Sequence, residues 1–216
     1  MNDLIIVGAG KTAELAYEYL KRHYYIKCFA DDLFEGTKFG KEVISIDSIP
    51  LASKVFVAIG VSKLNTTRQK IYEILLTRGM EFVSYIDSRA TVRSTAKIGK
   101  NCFVMEENVI QDYVTIGDNN ILWSGNHIGH HTNIGDHNFI SSHVVISGNC
   151  KIGNNNFFGV NSCIGDEVSV GNYNWFSPLT SSVGDIGDEK LLVLPKEARP
   201  VVAKSSTKRY FKVEMD

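Results

Sequence analysis

From Val92 to Phe176 an apolar residue recurs at every sixth position, fifteen times in one register without a break. The position two before each is also restricted: it holds alanine, cysteine, serine, threonine, valine or asparagine, never a large aliphatic or aromatic side chain. Eight of the fifteen are followed directly by glycine, as in "KIGKN", "TIGDN" and "KIGNN". A strict period of six matches neither the 3.6-residue repeat of a helix nor the twofold alternation of a hairpin ladder. It demands short straight segments joined by corners at fixed spacing, which is the pattern of a hexapeptide β-helix.

In such a coil each hexapeptide forms one flat face and one corner of a triangle, so eighteen residues complete a turn and the run supplies five coils. The large apolar residue and the small one two before it point inward, and the residue between them points out. Glycine and asparagine at the corners are expected to supply the positive φ that a tight turn needs. Residues eighteen apart stack at the ordinary inter-strand spacing of about 4.8 Å. Cys102 and Cys150 fall on inward positions and read as core; Cys163 falls outward with no base beside it, a poor setting for a nucleophile. Cys28 completes a set without metal-ligand spacing, so all four cysteines are expected to be reduced.

Residues 1–87 follow a different rule and read as a small α/β unit, with the β-helix over 88–183 and a C-terminal tail over 184–216. "LIIVG" is a buried strand ending in glycine, Thr12 to Arg22 a helix, and "IKCFA" a second strand closed by Asp31 and Asp32. "KVFVAIG" is a further strand, "TTRQKIYEILLTRG" a helix stopped by Gly79, and "FVSYID" a last strand. The turn "VGAGKTAELA" reads G-x-G-x-x-A at Gly8, Gly10 and Ala13, between a strand and a helix, the context a phosphate-binding turn requires. Asp31 and Asp32 lie where contacts to a ribose or base would arise. The "GKT" within the turn is not a P-loop, because Ile5 stands where its first glycine belongs. A unit of this size is half a dinucleotide fold, which argues against a dinucleotide cofactor.

Composition removes other classes. A formal net charge of −1 disfavours nucleic acid and anionic membranes as main partners. No apolar run approaches the roughly 18 residues of a membrane span, and the N-terminus has no secretory signal, so the cytoplasm is the expected compartment.

Five of six histidines fall within "HIGHHTNIGDHNFISSH". His127 is the outward residue before Ile128, and His130 and His131 sit at the following corner. His137 and His143 repeat the phase of His131 at the next two corners, so one chain spreads these three over different edges. Chains packed side by side around a threefold axis would bring histidines of separate subunits into shared clefts.

The chain as a whole resembles the hexapeptide-repeat acyltransferases of the sialic acid O-acetyltransferase and nucleotide-amino-sugar N-acetyltransferase family. The likeness spans about residues 3–180 and is carried by "FADDLFEGTKFG", "FVAIG" with "RQKIYE" following, "IGHHTNIGD" and "KIGNNNFFGVNSCIGD". It implies a left-handed β-helix, a homotrimer, and transfer of an acyl group from acetyl-CoA or another acyl-CoA. The acceptor implied is an amino or hydroxyl group of a nucleotide-linked sugar used in surface polysaccharide or glycan synthesis. No metal is expected. By residue, the resemblance implies His130 as general base and His131 in the place of its usual acidic or asparagine partner. The Gly148 N–H becomes the oxyanion donor, and coenzyme A runs past Gly148, Val160 and Pro178, the last where the family has glycine. The nucleotide-linked sugar would meet Gly8, Ala9, Gly10, Lys11, Asp31, Asp32, Gly60 and His127. Lys11 and Thr12 replace a usual Gly-His pair, and three extra residues separate Gly60 from Arg68. The register independently sets Gly148 one coil from His130. Two other classes stay open: a β-helix zinc hydratase of the carbonic-anhydrase type with ligands from several subunits, and a nucleotide-sugar-binding scaffold without turnover.

Overall fold

The computed structural model describes residues 2–194 and builds them in two parts. The first is a twisted sheet of β1 (Asp3–Val7), β2 (Tyr25–Ala30), β3 (Thr37–Lys38), β4 (Lys41–Ile44), β5 (Lys54–Val57) and β6 (Glu81–Phe82). Their spatial order is β3-β4-β2-β1-β5-β6, parallel except for the β3–β4 hairpin. Helix α1 (Lys11–Leu20) links β1 to β2, and α2 (Thr66–Thr77) links β5 to β6. Strand order reverses between β1 and β5, and the crevice at their carboxyl ends is where open α/β sheets take ligands.

The second part is the β-helix. Two-residue strands recur every six residues, and each pairs in parallel with the strand eighteen residues on, as Val109–Ile110 with His127–Ile128 and these with Val145–Ile146. The first wall stacks strands beginning at Tyr85, Phe103, Ile121, Phe139, Phe157, Trp175 and Leu191. The second wall runs from Thr91 to Ser181 and the third from Lys97 to Ser169. The periodic apolar residues fill the prism as one core with Cys102 and Cys150, while Cys163 is exposed; all four cysteines are free thiols.

Three details differ from the sequence reading. "FVSYID" is not one strand: Glu81–Phe82 pairs with β5, whereas Tyr85–Ile86 pairs with Phe103–Val104 and so opens the β-helix before residue 88. At the other end the pairing runs past residue 183, through the Val170–Ile186 bridge to Leu191–Leu192 against Trp175–Phe176. The basic residues expected in the C-terminal tail lie outside the described residues.

The third difference concerns glycine. From Ile98 to Phe176 positive φ falls three places after each inward residue, on Asn101, Asn119, Asn149, Asn155 and Asn161 but also on residues such as Tyr113, His131, His137 and His143, and Gly125 is the one coil glycine there. Glycines directly after the inward residue have ordinary φ and are required by stacking: a Cβ on Gly129 would lie 2.5 Å from the Gly148 nitrogen, and one on Gly153 2.6 Å from the Gly171 oxygen. Asparagine thus answers the turn, and glycine the 4.8 Å-scale approach of the next coil.

The α/β half is welded to the first wall. Outward Phe103, Ile121 and Phe139 are buried against Leu4, Ala16, Leu20 and Phe56, which alternation alone would have left in solvent. At the edge between the third and first walls, Arg68 of α2 is fully buried. It donates to the carbonyls of Asn119, His137 (3.0 Å) and Asn138 (3.1 Å), and back to Ile59 and the Asn65 Oδ1. Burial without a carboxylate partner pulls its pKa down to about 9. Asn101 Oδ1 accepts the Val57 N–H at 2.7 Å, extending the edge of β5 into the coil.

Candidate active site

His130 and His131 occupy the edge between the second and third walls, and both are exposed. Along the neighbouring third–first edge a ladder shows what that position normally does. The N–H of Lys100 donates to Asp118 Oδ1, that of Asp118 to Asp136, and that of Asp136 to Asn154, each acceptor one coil further on. At His130 the corresponding position one coil on is Gly148, which has no side chain to accept. Gln111, in the preceding coil, accepts the His130 N–H instead, at 2.9 Å.

The missing side chain leaves room for the imidazole. A Cβ built on Gly148 would sit 2.8 Å from His130 Cε1 and 3.0 Å from its Nε2, so the ring lies against the Gly148 backbone. Among the described residues the Gly148 N–H has no acceptor, while its carbonyl takes the Glu167 N–H and the His130 carbonyl takes that of Asn149. An unpaired donor beside an imidazole is the arrangement that acyl transfer requires: a base for the incoming nucleophile and a donor for the developing oxyanion. His131 sits at φ 59° with its ring 4.8 Å from that of Tyr113, and its Nδ1 lies 3.2 Å from His130 Nδ1.

The other expected residues are placed as follows. His127 is half-buried on the second wall between Val109 and Val145 and does not line the nucleotide crevice. Val160 and Pro178 stack one coil apart on the edge between the first and second walls, both exposed. Pro178 carries no N–H, so the backbone donor implied there does not exist in this chain. His137 is buried at the third–first edge, where its Nδ1 meets Asn119 Nδ2 at 2.8 Å. Burial, and Arg68 nearby, push its pKa down, against the opposing pull of Asp136. His143 packs its ring over Gly125 on the third edge. Phe139 is buried between the two halves. Among the described residues no three His, Cys, Asp or Glu side chains converge to hold a metal.

In the α/β half, Gly8, Ala9, Gly10, Lys11, Asp31, Asp32 and Gly60 line one cavity of about 520 Å³ at the β1–β5 crevice. Gly8 has φ 112°, and a Cβ there would come within 2.9 Å of the Ala58 oxygen. The start of α1 at Gly10 has no side-chain cap, and Gly10, Lys11 and Thr12 of its first turn line the cavity. Asp31 lines this cavity and also holds the turn: its Oδ2 accepts the Ala9 N–H (2.7 Å) and its Oδ1 the Leu33 N–H (2.8 Å). Asp32 Oδ1 accepts the Ile46 N–H at 2.8 Å.

Sequence reasoning missed Gln111, Arg68 and Asn65. Gln111 carries no motif, and its role follows from the absence of a side chain on Gly148. Asn65 has φ 65° and is fully buried, with Nδ2 on the Asn156 carbonyl and Oδ1 on Arg68.

Residues 95–130 and 113–148 match the bacterial transferase hexapeptide (six repeats) family. No curated protein sequence matches the chain. Among solved structures, the acetyltransferase domain of PglB from Neisseria gonorrhoeae superposes with a TM-score of 0.80 at 25% identity, over 88% of this chain and 96% of that one. The same domain in complex with acetyl coenzyme A gives 0.80 at 26% identity, over 88% and 95%. PerB from Caulobacter crescentus, in complex with CoA and GDP-perosamine, gives 0.79 at 23% identity over 88% and 93%, a likeness of fold. The described chain shares with these acetyltransferases the plan of an α/β half joined to a left-handed β-helix, with hexapeptide repeats matched over residues 95–148.

Proposed function

We propose that the protein is an acyl-CoA-dependent acyltransferase, most simply an acetyltransferase, that acylates an amino or hydroxyl group of a nucleotide-linked sugar. The observation that carries this is the packing of His130 against Gly148, whose N–H is left unpaired among the described residues. The PglB domain binds acetyl coenzyme A and PerB binds CoA with GDP-perosamine, ligands of the two kinds this chain's edge and crevice would take.

The acceptor N–H or O–H attacks the thioester carbonyl as His130 Nε2 removes its proton, forming the new C–N or C–O bond. The Gly148 N–H holds the tetrahedral oxyanion. Collapse breaks the C–S bond, and the proton on His130 leaves with the coenzyme A thiolate. No covalent enzyme intermediate is required. His127 would approach the sugar from the second wall.

A second copy of the chain completes the site. The α/β half covers the first wall and the edge carrying Arg68, while His130 occupies the opposite edge. A crevice and a base so separated serve one substrate when side-by-side chains, most simply three, present one chain's crevice to another's base. Use of acyl-CoA and four free thiols fit a cytoplasmic enzyme feeding surface polysaccharide or glycan synthesis; among the described residues no helix is long and apolar enough to cross a membrane.

The test is thiol release from acetyl-CoA against a panel of nucleotide-linked amino sugars, in metal-free buffer. Release dependent on one acceptor and lost in His130→Ala is the expected result. Binding of a nucleotide sugar without turnover of any acyl-CoA would leave a scaffold, and zinc-dependent hydration of carbon dioxide with no thiol release would indicate the hydratase.

A further inference from the structure

The two histidines of the corner meet nitrogen to nitrogen. Nδ1 of His130 and Nδ1 of His131 are 3.2 Å apart, with ring planes 83° apart, so the contact is a hydrogen bond between rings rather than a stack. Such a bond needs one N–H and one lone pair. If His130 accepts a proton through Nε2, its hydrogen must sit on Nδ1. His131 must then offer the lone pair of its own Nδ1 and keep its hydrogen on Nε2.

The surroundings hold His131 in that role. Its backbone is fixed at φ 59°, its N–H donates to the Asp112 carbonyl (3.0 Å), and its ring lies against Tyr113. The nearby charges are engaged elsewhere or turned to Gly148. Asp112 accepts the Thr95 hydroxyl at 3.0 Å and faces Arg93 at 3.7 Å, and Asp166 lies 3.0 Å from the Cβ position of Gly148. Among the described residues neither imidazole forms an ion pair with a carboxylate.

We infer that His131 is a positioning residue that sets the tautomer of His130 as a neutral acceptor, so the base operates only while both rings are uncharged. This rests on the acyl-transfer reading of His130. A carboxylate partner stays ionised throughout the neutral range and favours the imidazolium. His131 does the opposite. A proton on its Nδ1 turns the acceptor into a donor, and His130 must then present its Nδ1 lone pair and carry its hydrogen on Nε2, where it can no longer take a proton from the acceptor. One proton on either ring silences the pair, and a second adds to the loss at lower pH.

The experiment has a kinetic and a spectroscopic arm. In the kinetic arm, kcat/KM of the wild-type protein is followed down the acid limb, and its limiting slope is expected to steepen from one to two. His131→Asn tolerates the same positive φ and keeps an acceptor oxygen without a titrating ring; its slope stays at one. His131→Leu removes the acceptor, and kcat falls about a hundredfold with both KM values unchanged; recovery of turnover in His131→Asn marks the acceptor itself as the cause. A wild-type slope of one, matching His131→Asn, overturns the inference. In the spectroscopic arm, long-range proton–nitrogen NMR of the ¹⁵N-labelled chain reads each tautomer directly, assigned with His130→Gln and His131→Gln. His130 as Nδ1–H with His131 as Nε2–H supports the inference, and His130 as Nε2–H overturns it. This arm needs no turnover, so an inactive protein would refute the acyl-transfer reading while the tautomers still decide the pairing.

Discussion

The ring of His130 occupies the space that a side chain on residue 148 would need: a Cβ there would come within 2.8 Å of His130 Cε1. The same absence leaves the His130 N–H to Gln111. The position of the His130 ring is therefore set by both adjoining coils. Gly148→Ala leaves the N–H in place and, Gly148 having no positive φ, adds no backbone strain. It should lower kcat about a hundredfold by displacing the imidazole, with little change in either KM. Steady-state kinetics with both substrates varied will show it.

Gln111→Leu removes the acceptor of the His130 N–H, which is solvent-accessible enough to find water. Stability should fall by no more than about 1 kcal/mol. The kinetic effect should be larger in proportion, about tenfold in kcat, because the corner that aims the ring loses its tie. Urea melts beside initial rates separate the two.

Asp31 shapes the turn that ends β1 by accepting from Ala9 and Leu33. Asp31→Ala should raise KM for the nucleotide-linked sugar by about tenfold, leaving KM for acyl-CoA unchanged, since the proposed function seats the two ligands on different halves. An equal rise in both would place Asp31 outside the nucleotide site.

Arg68→Met keeps much of the volume but strands the carbonyls of Asn119 and His137 in the seam between the halves, while that of Asn138 keeps the Ile121 N–H. A loss of about 3 kcal/mol is expected, read as a lower denaturant midpoint. A change near zero would show that the seam does not depend on this guanidinium.

His137 makes stability fall on mild acidification. Its folded pKa is depressed, chiefly by burial. Below about pH 6.5, the ordinary value, the unfolded chain binds a proton that the folded chain refuses. Stability is thus full above that pH and declines as the pH falls toward the folded pKa. Melting temperatures between pH 7.5 and 5.5 should show the decline, and His137→Asn, which suits the positive φ, should flatten it.

What the sequence determined by itself is the coil. A repeat of six fixes which side chains face inward, sets an eighteen-residue turn, and places Gly148 beside His130, because stacking distance follows arithmetically from register. The glycine-ended first strand and its turn located the crevice at the carboxyl ends of β1 and β5 for the same local reason. The tertiary structure decided what depends on contacts between distant segments. Alternation calls Phe103 and Phe139 outward, and only the docking of the α/β half makes outward mean buried. Asp31 reads from sequence as a crevice residue, and only the fold shows that its two oxygens also accept backbone N–H groups from Ala9 and Leu33. Arg68 looks like a solvated helix residue until the seam closes over it. Periodicity is a property of one segment's backbone, whereas burial and hydrogen-bond partners at a seam arise from the meeting of two periods, one near 3.6 residues and one of six, that neither segment encodes alone.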